Sequence, residues 1–196
     1  MANDSTIAGY LQPVGTAPPE DSDLDAIFQQ MIVGLTGLPG NVVRPRWQPT
    51  VPKQPEPTVN WCAVGVMDIE PDPYVYEEES ADGTTTTLIR HEIIPVLCSF
   101  YGPNGRAFAS QARDGIQLSQ NNAMLNLNEM GLVEASRITP VPELVNQQWI
   151  RRFDLSMRVR RRIVRTYQIL TVLSAQATLE AETEINTVTE QIAVNQ

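Results

Sequence analysis

Between Trp149 and Leu170 the chain alternates in character: Phe153, Leu155, Met157 and Val159 fall on one phase, Asp154, Ser156, Arg158, Arg160 and Arg162 on the other. Successive side chains of a β-strand project to opposite faces, so this stretch predicts a long strand with one face on a core. A single strand leaves its backbone N–H and C=O groups unpaired, and the rest of the chain must supply a sheet around it.

The remaining pattern supplies partners. Val59 to Ile69 (VNWCAVGVMDI) is apolar on both phases, like a strand buried on both faces. Leu88 to Tyr101 (LIRHEIIPVLCSFY) reads as its antiparallel partner, with Pro95 expected at an edge or a bulge. The acidic stretch between them turns at Asp82-Gly83, so the two strands form a long hairpin with an acidic tip over residues 70–87. Leu132 to Thr139 predicts a fourth, short strand closed by Pro140 and Pro142.

Two helices complete the pattern. The first starts at Asp21 or Ser22, with Ser22 and Asp25 in capping-box spacing, carries Leu24, Ile27, Phe28, Met31, Ile32 and Leu35 on one face, and ends at Gly37, Pro39 and Gly40. The second starts at Pro103-Asn104-Gly105, presents Phe108, Ala112, Ile116 and Ser119, and continues through AMLNLNEM to Gly131 as C-cap. Five prolines within residues 44–58 exclude a helix there and suit an extended excursion over a surface. The expected fold is therefore α+β: a four-stranded, mainly antiparallel sheet with two helices on one face. Residues 1–20 form an N-terminal arm, residues 21–170 the α/β domain, and residues 171–196 a C-terminal extension. Both arms have too few core-like apolar positions to fold alone and are expected to order on a partner.

Charge separates along this framework. Residues 151–165 hold Arg151, Arg152, Arg158, Arg160, Arg161, Arg162 and Arg165, half of the 14 basic residues of the chain. Acids crowd residues 1–25, residues 68–82 and the tail, where nothing basic accompanies them. The net charge of -9 argues against a protein whose main task is to grip phosphates. Such sign separation is a feature of association. No apolar run reaches the roughly 20 residues of a membrane span, and the N-terminus lacks the basic start and apolar stretch of a secretory signal. Cys62 and Cys98 lie inside apolar runs, which suggests neither a disulfide framework nor a metal site. These features point to an intracellular, acidic protein.

Catalytic signals are sparse. His91, the one histidine, lies mid-strand between Arg90 and Glu92 and reads as a structural or partly exposed residue. Glu77, Glu78 and Glu79 with Asp82 lack the alternate-position ligands and turn glycine of a calcium loop. GLTGLPG at residues 34–40 ends a helix where a phosphate loop would open one. No nucleotide, hydrolase-elbow or zinc signature occurs. No catalytic residue, metal or cofactor is assigned.

The arginine strand admits three readings. Arg158, Arg160 and Arg162 project from one face about 7 Å apart, as a nucleic-acid surface requires, but base-stacking aromatics are absent from that face. They can serve a salt-bridged face within one chain, met by Asp154 and Glu134. They can instead pair subunits, because the guanidinium fork grips carboxylates in a bidentate manner. Pairing is preferred. Its candidate interface residues are Arg151, Arg152, Arg158, Arg160 and Arg162 on the basic side, and Glu77, Glu78, Glu79 and Asp82 on the acidic side.

The stretches LDAIFQQMIVGLTGLPGNVVRPRWQ, VNWCAVGVMDI, HEIIPVLCSFYGPNGRAFASQARDGIQ and RRFDLSMRVRRRIVRTY together resemble the tail-terminator-like neck proteins of long-tailed bacteriophages, over about residues 22–170. The resemblance implies a small non-catalytic structural subunit, assembled in the host cytoplasm into a ring, usually a hexamer, at the head-to-tail junction of the virion. Such a ring ends tail growth and docks the tail to the head connector or portal-side adaptor. It contacts tail tube and sheath proteins, and DNA passes through it only as cargo. The Pro-rich insertion and long C-terminal arm are not expected of a minimal member. The second reading is a small non-catalytic adaptor or collar-type binding protein working as a monomer or dimer.

Overall fold

The computed structural model describes residues 9–50, 52–145, 147–169, 174–183 and 186–195. The chain opens with β1 (Pro13–Val14), α1 (Asp21–Thr36), a 3-10 turn at Gly40–Val42 and β2 (Val43–Pro45). Then come β3 (Trp61–Val66), β4 (Glu70–Pro71), β5 (Tyr76–Glu79) and β6 (Thr85–Tyr101). Two helices, α2 (Gly105–Gly115) and α3 (Ser119–Asn126), lead to β7 (Met130–Ala135), β8 (Thr139–Pro140), β9 (Glu143–Val145) and β10 (Gln148–Ile150). The chain closes with β11 (Arg152–Gln168), β12 (Ser174–Thr183) and β13 (Asn186–Asn195).

The four-stranded sheet with two helices is corrected. A nine-stranded sheet runs β1-β11-β6-β3-β2, with β4 and β5 also on β6 and β7 and β8 also on β11. Two further sheets, β9 with β10 and β12 with β13, have two strands each, and the helices number three among the described residues. The physical reason is the length of β6 and β11, 17 residues each. Their backbone groups outrun any single partner, and short pieces complete the ladder. Pieces such as Pro13–Val14 and Glu70–Pro71 are two residues long and leave no alternation to read. β2 pairs with β3 in parallel, so the sheet is mixed.

Two compact units divide the chain. One comprises Thr16–Tyr76 and Ile89–Val164 and holds the core. In it Leu24, Phe28, Ile32 and Leu35 of α1 lie against Val43, Cys62, Val64, Ile94, Val96, Cys98 and Phe100 of the sheet, with Ala109, Ala112 and Ile116 from the α2 region. Burying a side chain such as Phe28 contributes roughly 1.5–3 kcal/mol. Gly37 ends α1 in the left-handed conformation (φ 70°), its N–H on the Val33 carbonyl at 2.8 Å. The expected capping box is absent: Glu20 is the N-cap and no side chain caps the turn.

β3 buries Cys62 and Val64 on one phase and Gly65 on the other, beneath the Arg46 side chain; Trp61, Ala63 and Val66 are half-buried. Its pairing with β6 runs from Trp61↔Tyr101 to Val66↔Val96, and β4 resumes at Glu70↔Ile93. Met67, Asp68 and Ile69 thus face only Ile94 and Pro95, a bulge that accommodates the proline in a central strand. Gly102 turns the chain out of β6 at φ 98°, where a Cβ would lie 2.5 Å from the Val59 carbonyl.

The second predicted helix divides. Leu118 adopts extended backbone (ψ 131°), and the Gly115 carbonyl accepts from Asn121 Nδ2 at 2.8 Å and from Leu118 N at 3.2 Å. Gly131 is the second residue of β7 and not a C-cap; Glu129 takes the left-handed turn (φ 56°). Trp149, read as the start of the long strand, belongs instead to the β9–β10 hairpin, opposite Leu144. In residues 46–58 no described residue belongs to a helix or strand, in keeping with the proline count.

The other unit comprises Met1–Gly15, Glu77–Leu88 and Arg165–Gln196. In it Pro13 and Val14 pair with Tyr167 and Thr166, and Thr87 and Thr166 share a hydroxyl hydrogen bond at 3.3 Å. Its acidic turn closes on Gly83 (φ 66°). β12 and β13 form an antiparallel hairpin in register from Ser174↔Asn195 to Thr183↔Asn186. Of the expected arms, residues 1–8, 171–173, 184, 185 and 196 lie outside the described residues, as does residue 170 at the end of the expected domain.

Candidate functional site: the arginine strand

The odd phase of β11 buries Leu155, Met157, Val159 and Ile163, and Arg161 shares that phase. Its side chain is 1% exposed. The guanidinium donates to Glu92 Oε1 through Nε at 2.8 Å and again through Nη2. It also donates through Nη1 to the Pro19 carbonyl and through Nη2 to Glu20 Oε2 at 3.0 Å. Glu92, 2% exposed on the buried phase of β6, meets Arg90 Nη2 at 3.4 Å on its other oxygen. A buried charge persists only when paired and hydrogen-bonded, and this cluster satisfies the fork. It ties the residues that open α1 to the centre of the sheet. Arg161 belongs to the arginine run but is not among the candidate interface residues. The signal was available: it alone of the arginines at 158–162 shares the phase of Leu155, Met157 and Val159.

The even phase carries four of the five predicted interface arginines, and acids of the same chain meet each of the four. Arg158 Nη2 lies 2.7 Å from Glu70, Arg160 Nη2 3.6 Å from Asp72, and Arg162 Nη1 3.4 Å from Glu129. These side chains are about half exposed, so each pair contributes only about 0–1 kcal/mol. Arg152 forks onto both oxygens of Asp154, at 2.7 and 2.8 Å, and also reaches Glu143. Those hydrogen bonds, Asp154 first, hold its guanidinium well above the ordinary arginine value despite partial burial. Arg151 is exposed. Glu134 sits opposite Arg158 in the strand register, but the ion-pair partner of Arg158 is Glu70.

On the acidic side, Glu77, Glu78 and Glu79 are exposed along β5. Glu77 Oε1 accepts from Thr86 Oγ1 at 3.1 Å. Asp82 shapes the turn, accepting from Ser80 Oγ (2.6 Å), Thr84 Oγ1 (2.9 Å) and Thr84 N (3.2 Å). The Ser80 bond, then those of Thr84, hold its carboxyl below the usual aspartate range.

Ser99 Oγ donates to Asp154 Oδ1 at 2.6 Å and accepts from Arg46 Nη2. Asp154 is already held by Arg152, so this is a tethered polar network on the sheet; His91 offers its carbonyl to Asp72 N at 2.8 Å and is not one of its members. Cys62 and Cys98 are buried free thiols, and burial, reinforced by Cys98, pushes the Cys62 thiol up. No group of three or more His, Cys, Asp or Glu is placed to hold a metal among the described residues.

A family model described as phage neck terminator protein matches residues 22–188. The chain belongs to that family. The match begins in the first turn of α1 and extends beyond residue 170 through β12 into β13, and it includes the Pro-rich stretch. Membership makes the chain a structural component of the phage neck, working among other head and tail proteins of the virion. No curated protein matches it.

Proposed function

We propose that this neck terminator forms a closed ring, a hexamer, at the head-to-tail junction, where it ends the tail and docks it to the head connector while DNA passes through the centre. The family match across residues 22–188 carries the reading. Separated charge supports it: a ring subunit needs two different, complementary surfaces, because only a head-to-tail contact repeats around an axis. The exposed acids of Glu77–Glu79 are one surface of that kind, while Arg158, Arg160 and Arg162 are met by acids of their own chain. The acidic balance of -9 suits a channel wall that lets DNA slide. Residues 1–20 and 171–196 are proposed as arms that engage adjacent components.

The test is a phage lacking this protein. It should yield filled heads and separate tails, or tails of uncontrolled length, and the added wild-type chain should restore joining. Normal joining, with failure confined to DNA processing or lysis, would refute the assignment.

A further inference from the structure

A second basic site lies away from the arginine strand. Arg106, Ser110 and Arg113 recur at i, i+4 and i+7 on α2, and with Arg137 they line a cavity of about 400 Å³ whose other walls are Ile138, Pro140 and Phe153. None of the lining residues is acidic. Arg106 and Arg137 enter no ion pair among the described residues, and Arg113 meets only its exposed neighbour Asp114 at 3.1 Å. This differs from Arg158, Arg160 and Arg162, each already matched to a carboxylate. The cavity asks for an anionic ligand with an apolar or aromatic body.

The same chain displays such a ligand. In the segment Tyr74–Glu79, Tyr74 is 88% exposed and Tyr76 60%, and both precede three exposed carboxylates. Aromatic rings in water are a cost that burial against Pro140 and Phe153 would remove, and guanidiniums both stack on tyrosine rings and fork onto carboxylates. We propose that the Tyr74–Glu79 segment of one copy docks into the Arg106–Arg113–Arg137 cavity of a second copy. The contact joins two different surfaces, so it propagates from copy to copy and makes a ring when the rotation between copies closes. The inference rests on the ring reading and names the surfaces that make it.

The test places one cysteine on each side, Glu78→Cys on the segment and Ser110→Cys in the cavity, in the full chain at low salt under mild oxidant. Cys62 and Cys98 are buried and stay out of the exchange. A mixture of the two single variants should give a cross-linked dimer and nothing larger, and the double variant a ladder of oligomers. Arg106→Ala with Arg137→Ala, or raising the salt to about 1 M, should slow cross-linking at least about tenfold, because steering by exposed charges is screened. A mixture that stays monomeric, or a double variant that closes only within itself, overturns docking. If instead a double-stranded oligonucleotide binds the wild type and the two alanines abolish that binding, with no cross-link formed, the cavity serves phosphates and docking is likewise overturned. A cross-linked dimer from the two cysteine variants, together with a wild-type chain that never reaches ring mass, would keep the contact and sink the ring. A wild-type ring without the cross-link would do the reverse.

Discussion

Replacing Arg161 by leucine should cost more stability than any other arginine substitution on β11. Arg161 is 1% exposed and Glu92 is 2% exposed, so truncating one partner strands the other charge in the core. Breaking a buried pair in this way costs about 3–5 kcal/mol. Arg90, at 3.4 Å, retains part of the compensation for Glu92, which places the loss near the lower end, about 3 kcal/mol. For a chain of this size that corresponds to a fall in Tm of about 6–12 °C. Arg161→Lys keeps the charge but cannot span Glu92, Glu20 and the Pro19 carbonyl at once, so its loss should fall in between. The double variant Arg161→Leu with Glu92→Leu removes both charges and should be more stable than either single variant, since well-packed apolar replacements of buried pairs are often neutral. Urea melts followed by circular dichroism give the values for all four variants, Glu92→Leu included, and the losses should hardly change with salt because the pair is shielded from solvent. If Arg161→Leu costs less than about 1 kcal/mol, or the double costs the sum of the singles, Arg161 is not a buried, coupled charge and the reasoning fails.

The acidic turn should loosen with acid. The Asp82 carboxyl titrates below the ordinary value of about 3.9, so its support of the turn is complete above that value and is lost as pH falls through the lower folded-state value. Amide exchange at Thr84 should accelerate relative to the neighbouring strand over that range, and Asp82→Ala should erase the difference; an exchange profile flat with pH would disprove it. Thiol reagents at neutral pH should modify neither Cys62 nor Cys98 until denaturant is added, since both are buried and the Cys62 thiolate is disfavoured. A cysteine that reacts in the native protein at the rate of a free thiol would contradict the burial.

Local pattern specified a good deal of this molecule. Alternation at Leu155, Met157 and Val159 marked β11, the spacing of Leu24, Phe28, Ile32 and Leu35 marked α1, and Asp82-Gly83 marked the turn, because each is a rule about neighbours in the chain. Four segments resemble the neck proteins in sequence alone, and the family match bears that resemblance out. Other features belong to tertiary structure alone. Strands as short as Glu70–Pro71 exist because β6 has backbone left to pair, a demand made from far along the chain. The partners of Arg158 and Arg160 are Glu70 and Asp72, some 88 positions earlier, and no local rule selects them over Glu134. Arg161 shows both sides of the division: its phase on β11 was written in the sequence and sends it into the core, but only the fold brings Glu92, Glu20 and Pro19 to it, and without them a charge in that position could not be kept.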